Sequence, residues 1–173
     1  MADSLINWFT TNLSGYIPKE MIIFIISMVP ILELRGGLIA ASLLGVNIVT
    51  AIGFCIVGNL IPIPFILLFI TPIFRWLKRT KLLTPLVEKL EKKSLSKSDQ
   101  IKKYEFLGLV LFVGIPLPGT GAWTGSLIAS LLDIKFKKAF PAIICGLILA
   151  TTIMSILSYG IPWIIEILKE QSG

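Results

Sequence analysis

Residues 21–49 read MIIFIISMVPIL, then ELRGG, then LIAASLLGVNIV. An apolar arm from Met21 to Leu32 meets the break Glu33-Leu34-Arg35-Gly36-Gly37, and a second apolar arm runs from Leu38 to Val49. Wound as helices, twelve residues cover about 18 Å, against a hydrocarbon core of about 30 Å. Neither arm crosses a membrane alone. The two form either one broken, tilted helix or a hairpin that enters and leaves on the same face.

The surroundings call for a membrane. Of 173 residues, 55% are hydrophobic and only 15% charged, with a mean hydropathy of +0.89. A soluble domain carries about 25% charge. Ten of the sixteen Lys and Arg fall between Arg75 and Lys103, which leaves the rest of the chain nearly all apolar. Thr50 to Ile70 and Ala139 to Tyr159 are each long enough to span. The first contains Asn59, Pro62 and Pro64, so a kink is expected in its later part. Between the spans, Phe106 to Val113 and Leu127 to Leu132 flank a second break, Gly114-Ile115-Pro116-Leu117-Pro118-Gly119-Thr120-Gly121.

Two wet or interfacial regions complete the map. After Thr84-Pro85, which looks like an N-cap and a first-turn proline, Leu86, Val87 and Leu90 oppose Lys89, Lys92 and Lys93. Together with Leu82 and Leu83 this predicts an amphipathic helix lying on the membrane, followed by a flexible link over Ser94–Ser98. The first sixteen residues predict another short amphipathic helix, with Trp8 and Tyr16 suited to the interface and no basic region typical of a cleaved signal.

The halves match at an offset of 89, where Gly36, Leu38, Ile39 and Ala40 align with Gly125, Leu127, Ile128 and Ala129. Charge then chooses the topology. Basic loops stay in the cytoplasm, so the loop 75–103 is placed there. If 106–132 crossed once, Lys135, Lys137 and Lys138 would lie outside; as a re-entrant hairpin, it returns them to the cytoplasmic face. The expectation is therefore an all-α integral membrane protein with interfacial helices and both termini outside. It is a single membrane domain over 1–173. Repeat one is 18–72 (hairpin 20–45, span 50–70), a basic amphipathic segment fills 73–105, and repeat two is 106–168 (hairpin 106–132, span 139–160). One hairpin plus one crossing per repeat makes the two repeats inverted, an arrangement found in secondary transporters. Arm length carries both breaks to mid-membrane.

The chain has no histidine, which removes Ser-His-Asp catalysis and His-ligated metals. Cys55 and Cys145 stand alone, and no phosphate-binding GxxxxGK[ST] loop is present. The positive charge is a loop property, so nucleic acid is not an expected partner. No cofactor is expected. Glu33 and Arg35 are the leading site candidates, because a charge at bilayer depth costs about 2.5–3.5 kcal/mol and usually faces a cavity. Arg35 can hold a phosphate or carboxylate by paired hydrogen bonds. Burial favours the neutral form of a carboxylic acid, which makes Glu33 the proton carrier. The competing role for the two is an ion pair that locks the hairpin. Gly36 and Gly37 join them as a close-approach surface. In the second break, Pro116, Pro118, Gly119 and Gly121 free backbone N–H groups for an anion. Thr120 and Thr124 offer hydroxyls, and Trp123 a wall. Asn59 is a further possible ligand, although an amide within a span more often joins helices.

The motifs PxxELRGG at Pro30–Gly37 and GIPLPGTGAWTG at Gly114–Gly125 resemble the small multidrug export proteins, over nearly all of residues 18–165. That family looks like a distant branch of the DedA (SNARE-associated, VTT) superfamily. The resemblance implies re-entrant hairpins and, from members that move phospholipids or polyprenyl phosphate, lipid translocation. DedA proteins divide acids and arginines between the two hairpins; here Glu33 and Arg35 share the first. The leading expectation is a secondary transporter of an anionic lipid carrier or small anion, coupled to protons or sodium. Export of cationic amphiphilic drugs and a membrane assembly factor without transport are the alternatives. A lipid phosphatase fits poorly with a single carboxylate at the hairpin. The cell membrane's lipids are expected partners, and the exposed polar hairpins predict a homodimer.

Overall fold

The computed structural model describes residues 2–13, 15–79, 84–95 and 99–172, and among them every regular element is helical. In chain order these are α1 (Ala2–Leu13), α2 (Lys19–Met28), α3 (Glu33–Leu43), α4 (Ile48–Leu60), α5 (Pro62–Arg79), α6 (Thr84–Leu95), α7 (Asp99–Gly114), α8 (Ala122–Leu131), α9 (Phe136–Ser155) and α10 (Ile161–Ser172). A π turn, Ile156–Gly160, joins the last two. The long apolar stretches are Ile48–Phe74 and Phe136–Lys169, 27 and 34 residues. Both are long and apolar enough to cross a membrane. Both exceed the spans expected from sequence at each end. Large apolar side chains stand exposed along them, among them Phe65, Phe69, Ile148 and Ile164, with Trp76 and Trp163 near the ends. Contiguous apolar exposure on this scale needs lipid, not water.

The chain divides into two compact units, residues 1–59 with 148–173, and residues 60–147. In the first, α2 and α3 form an antiparallel helical hairpin. Lys19 Nζ caps the carbonyl of Leu44 at 2.6 Å at its mouth, while Gly37 faces Ile23 and Ser27 further in. The fit is close enough to exclude a Cβ. One placed on Gly37 would collide with Ser27 Oγ and lie 2.7 Å from Cys55 Sγ, and one on Gly58 would lie 2.5 Å from the Phe24 carbonyl. Two glycines thus draw α2, α3 and α4 together around Ser27. The π turn is stapled to the far end of α3: Ser42 Oγ donates to the Ser158 carbonyl at 2.6 Å, and Tyr159 donates to the Val46 carbonyl at 3.0 Å. Residue 162 is proline, so it cannot give the Ser158 carbonyl its helical bond. α1 lies against α2 and α3 with Ile6 buried and Trp8 exposed.

In the second unit, Leu109 and Phe112 of α7, Ile128 and Ala129 of α8, and Ala139 and Ala142 of α9 make the core, joined by Leu67 of α5. Gly125 admits Val113, and Gly146 admits Val113 and the Val110 carbonyl. Ser130 Oγ reaches the Ile66 carbonyl at 3.3 Å, and Thr71 Oγ1 donates to the Ser130 carbonyl at 3.1 Å. Lys138 pairs with Glu105 at 3.0 Å, both exposed. The amphipathic helix expected after Thr84 is α6, with Val87 buried and Glu88, Lys89 and Lys92 exposed. Leu82, Leu83 and part of the expected link, 96–98, lie outside the described residues; Ser94 and Leu95 are helical.

The same local plan occurs in both units. At the end of α3, Leu44, Gly45 and Val46 donate to the carbonyls of Ala40, Ser42 and Ala41; at the end of α8, Leu132, Asp133 and Ile134 donate to those of Ile128, Ser130 and Ala129. Gly45 and Asp133 share the left-handed backbone, φ 66° and 53°, that such a cap requires. Every member of this set recurs 88 residues on, as does Gly58 at Gly146, one fewer than the 89 of the sequence match. Before the breaks the spacing is 86, since Phe24 and Ser27 correspond to Val110 and Val113 as the neighbours of those two glycines. The second break is therefore two residues longer. Gly58→Ala and Gly146→Ala should each lower the melting temperature in detergent, at about 1–3 kcal/mol for overpacking. Gly53→Ala, with nothing within 4 Å of the added Cβ, should leave stability unchanged or raise it.

Candidate functional site

The first break occupies a tighter space than its sequence indicates. α2 ends at Met28, and Val29, Pro30, Ile31 and Leu32 make the turn, closed by Leu32 N–H and Glu33 N–H on the Val29 carbonyl at 3.1 and 2.9 Å. Glu33 opens α3 with φ 50°. For a residue with a Cβ that conformation costs about 1–2 kcal/mol. Backbone strain of this kind collects at functional positions. Glu33 is also buried, 5% exposed, and its charge acts on the half-buried guanidinium of Arg35. Gly36 and Gly37 are buried without room for a Cβ, the former 2.7 Å from Leu32 Cβ. They serve the packing of the hairpin. α3 has no side-chain cap on its first N–H groups.

The second break is a wound turn. Leu117 N–H donates to the Ile115 carbonyl at 2.8 Å and Thr120 N–H to the Leu117 carbonyl at 3.2 Å. The Thr120 hydroxyl faces those same two carbonyls, at 3.0 and 2.8 Å. Its proton is thereby committed to the turn, which leaves it only acceptor capacity for a ligand. Gly119 (φ 75°) and Gly121 (φ 131°) supply the backbone freedom that the turn needs. Gly121 precedes α8, whose start also has no side-chain cap. Pro118 and Gly119 are exposed, Pro116, Trp123 and Thr124 half-buried, and Gly121 buried.

Glu33, Arg35, Gly36, Gly37 and Asn59 belong to the first unit, and Pro116, Pro118, Gly119, Thr120, Gly121, Trp123 and Thr124 to the second. The first unit also contains features that sequence reading passed over. Cys55 hydrogen-bonds Ser27 beneath Gly37, and the π turn sets Ser158 on α3. The only signal for the latter was Pro162, one turn past Ser158. Between α2 and α4, an apolar groove of 510 Å³ is lined by Met21, Phe24, Val49, Gly53, Phe54 and Val57.

Two apolar helices long enough to cross a membrane, in an all-helical chain, define the class of the fold, a helical membrane protein. Residues 33–153 match the family described as "Putative small multi-drug export protein", and the chain belongs to that family. No curated protein and no solved structure matches it. The strain at residue 33 gives a direct test. In an ordinary helix alanine is about 1 kcal/mol better than glycine; at φ 50° the order reverses. Glu33→Gly should therefore melt above Glu33→Ala in detergent, by about 1 kcal/mol.

Proposed function

We propose that this chain is a secondary transporter built from two inverted repeats, each a re-entrant hairpin (α2–α3, α7–α8) followed by a spanning helix. Its cargo is an anionic lipid carrier, of the polyprenyl-phosphate kind, or a small anion. The observation that carries the reading is the first break: a buried Glu33 on strained backbone, in one turn with Arg35. Fold stability alone does not call for a carboxylate there. Arg35 supplies the counter-charge for a phosphate, and the apolar groove suits a lipid tail. Coupling is through Glu33.

The turn residues support the re-entrant reading. Turns facing water are polar; here Ile31, Ile115 and Leu117 are 65%, 40% and 55% exposed. Such tips are stable in hydrocarbon once their backbone is satisfied within the protein. The matched hydrogen bonds 88 residues apart support the repeat. The basic segment 75–103 and Lys135–Lys138 are cytoplasmic and the termini outside, on the charge rule. The protein acts as a homodimer in the cell membrane, performs no covalent chemistry, and is a distant relative of the DedA superfamily.

A second reading, export of cationic amphiphilic drugs, is favoured by the family's description and by the apolar groove. Proteoliposomes separate the two. Flux of labelled polyprenyl phosphate that Arg35→Gln and Glu33→Gln abolish supports the first. Ethidium efflux that Glu33→Gln abolishes, with no lipid flux, supports the second. Flux of neither under any proton or sodium gradient leaves the assembly-factor role.

A further inference from the structure

Asn59 is fully buried, and neither its amide nitrogen nor its amide oxygen has a hydrogen-bond partner. Buried amides are nearly always paired, because an unpaired one forfeits its bonds to water. Packing does not demand an amide here. At the matching place 88 residues on, directly after Gly146, stands Leu147, also buried.

The register shows what Asn59 accompanies. α3 and α4 are joined by only four residues, 44–47, and run antiparallel, as short connections require. They are level where Gly37 meets Cys55 Sγ. One turn earlier in α3 is Glu33, and one turn later in α4 is Asn59. In antiparallel helices those two steps lead the same way, so the unpaired amide lies at the depth of the buried carboxylate.

We propose that Asn59 Oδ1 and the Glu33 carboxylate together bind a monovalent alkali cation. Besides the Glu33 carboxylate and Asn59 Oδ1, two backbone features there present oxygen or negative potential. Residue 62 is proline, so the Gly58 carbonyl receives no helical N–H from it. Asn59 is also next to the last residue of α4, at the negative end of the helix dipole. A single carboxylate with neutral oxygens matches one positive charge; divalent sites gather more carboxylates. Among the described residues no group of three or more His, Cys, Asp or Glu is assembled. Arg35 is two residues from Glu33, about 200° around the helix. A cation on the carboxylate cancels the negative charge that acts on Arg35 and so strengthens the guanidinium's pull on an anion, and this coupling role rests on the transport reading. The site itself does not.

The test uses the whole chain in nanodiscs, melted in sodium chloride or in choline chloride at equal ionic strength, with binding of radioactive sodium counted. Sodium should raise the melting temperature of the wild type. Asn59→Leu should melt normally in choline yet bind sodium at least about tenfold more weakly. Glu33→Gln should lose the response, and Asn59→Asp, which keeps an oxygen in place, should retain it. A wild type indifferent to sodium, an Asn59→Leu variant with the full response, or an Asn59→Asp variant without it would overturn the site. Sodium binding without flux of lipid or drug leaves the site standing and removes only the transport reading.

Discussion

Close approach of helices through glycine is the constraint on which the rest of the structure depends. α2 and α3 are only 10 and 11 residues long, too short to be stable alone. They persist because Gly37 lets Ser27 and Cys55 into van der Waals contact and Gly58 lets α4 touch the backbone of α2. In lipid there is no hydrophobic force between apolar helices, so contact area and hydrogen bonds must hold them. Small residues provide the first, and Ser42 and Thr71, each donating to a backbone carbonyl of another element, the second. The same solution appears at Gly125 and Gly146 of the second unit.

Much of this was legible in the sequence. Hydropathy located both short-armed pairs and both long helices, because apolar length against bilayer thickness is a coarse quantity that survives any detail of packing. The breaks were legible through Pro30, Pro116, Pro118 and their glycines. The matching of the halves was visible but one residue out: four identities at 89 in an apolar composition competed with backbone caps that set 88. Other features left no trace. The left-handed backbone of Glu33 arises from the turn at 29–32, not from any preference of glutamate. Thr120 read as a free hydroxyl, whereas the turn it belongs to takes its proton. The π turn needed knowledge of what could replace the bond that Pro162 cannot make.

The two units differ where chemistry would be expected. Their caps and glycine contacts match, yet the first alone places a buried carboxylate, an arginine and an unpaired amide around its break. The second has Gly121 where Glu33 stands, 88 residues on, and Leu147 in place of Asn59. Shared features are those that packing requires, and unshared ones are free to serve a ligand.

Depth decides the central claim, since a hairpin tip that rests in hydrocarbon is what separates a re-entrant segment from a loop at the surface. Single spin labels at positions 31 and 117, in a Cys145→Ser background reconstituted in bilayers, report depth through their relative exposure to oxygen and to a polar nickel complex. Both labels should show high oxygen and low nickel accessibility, near the bilayer centre. Nickel accessibility typical of the headgroup region at either position would contradict the account.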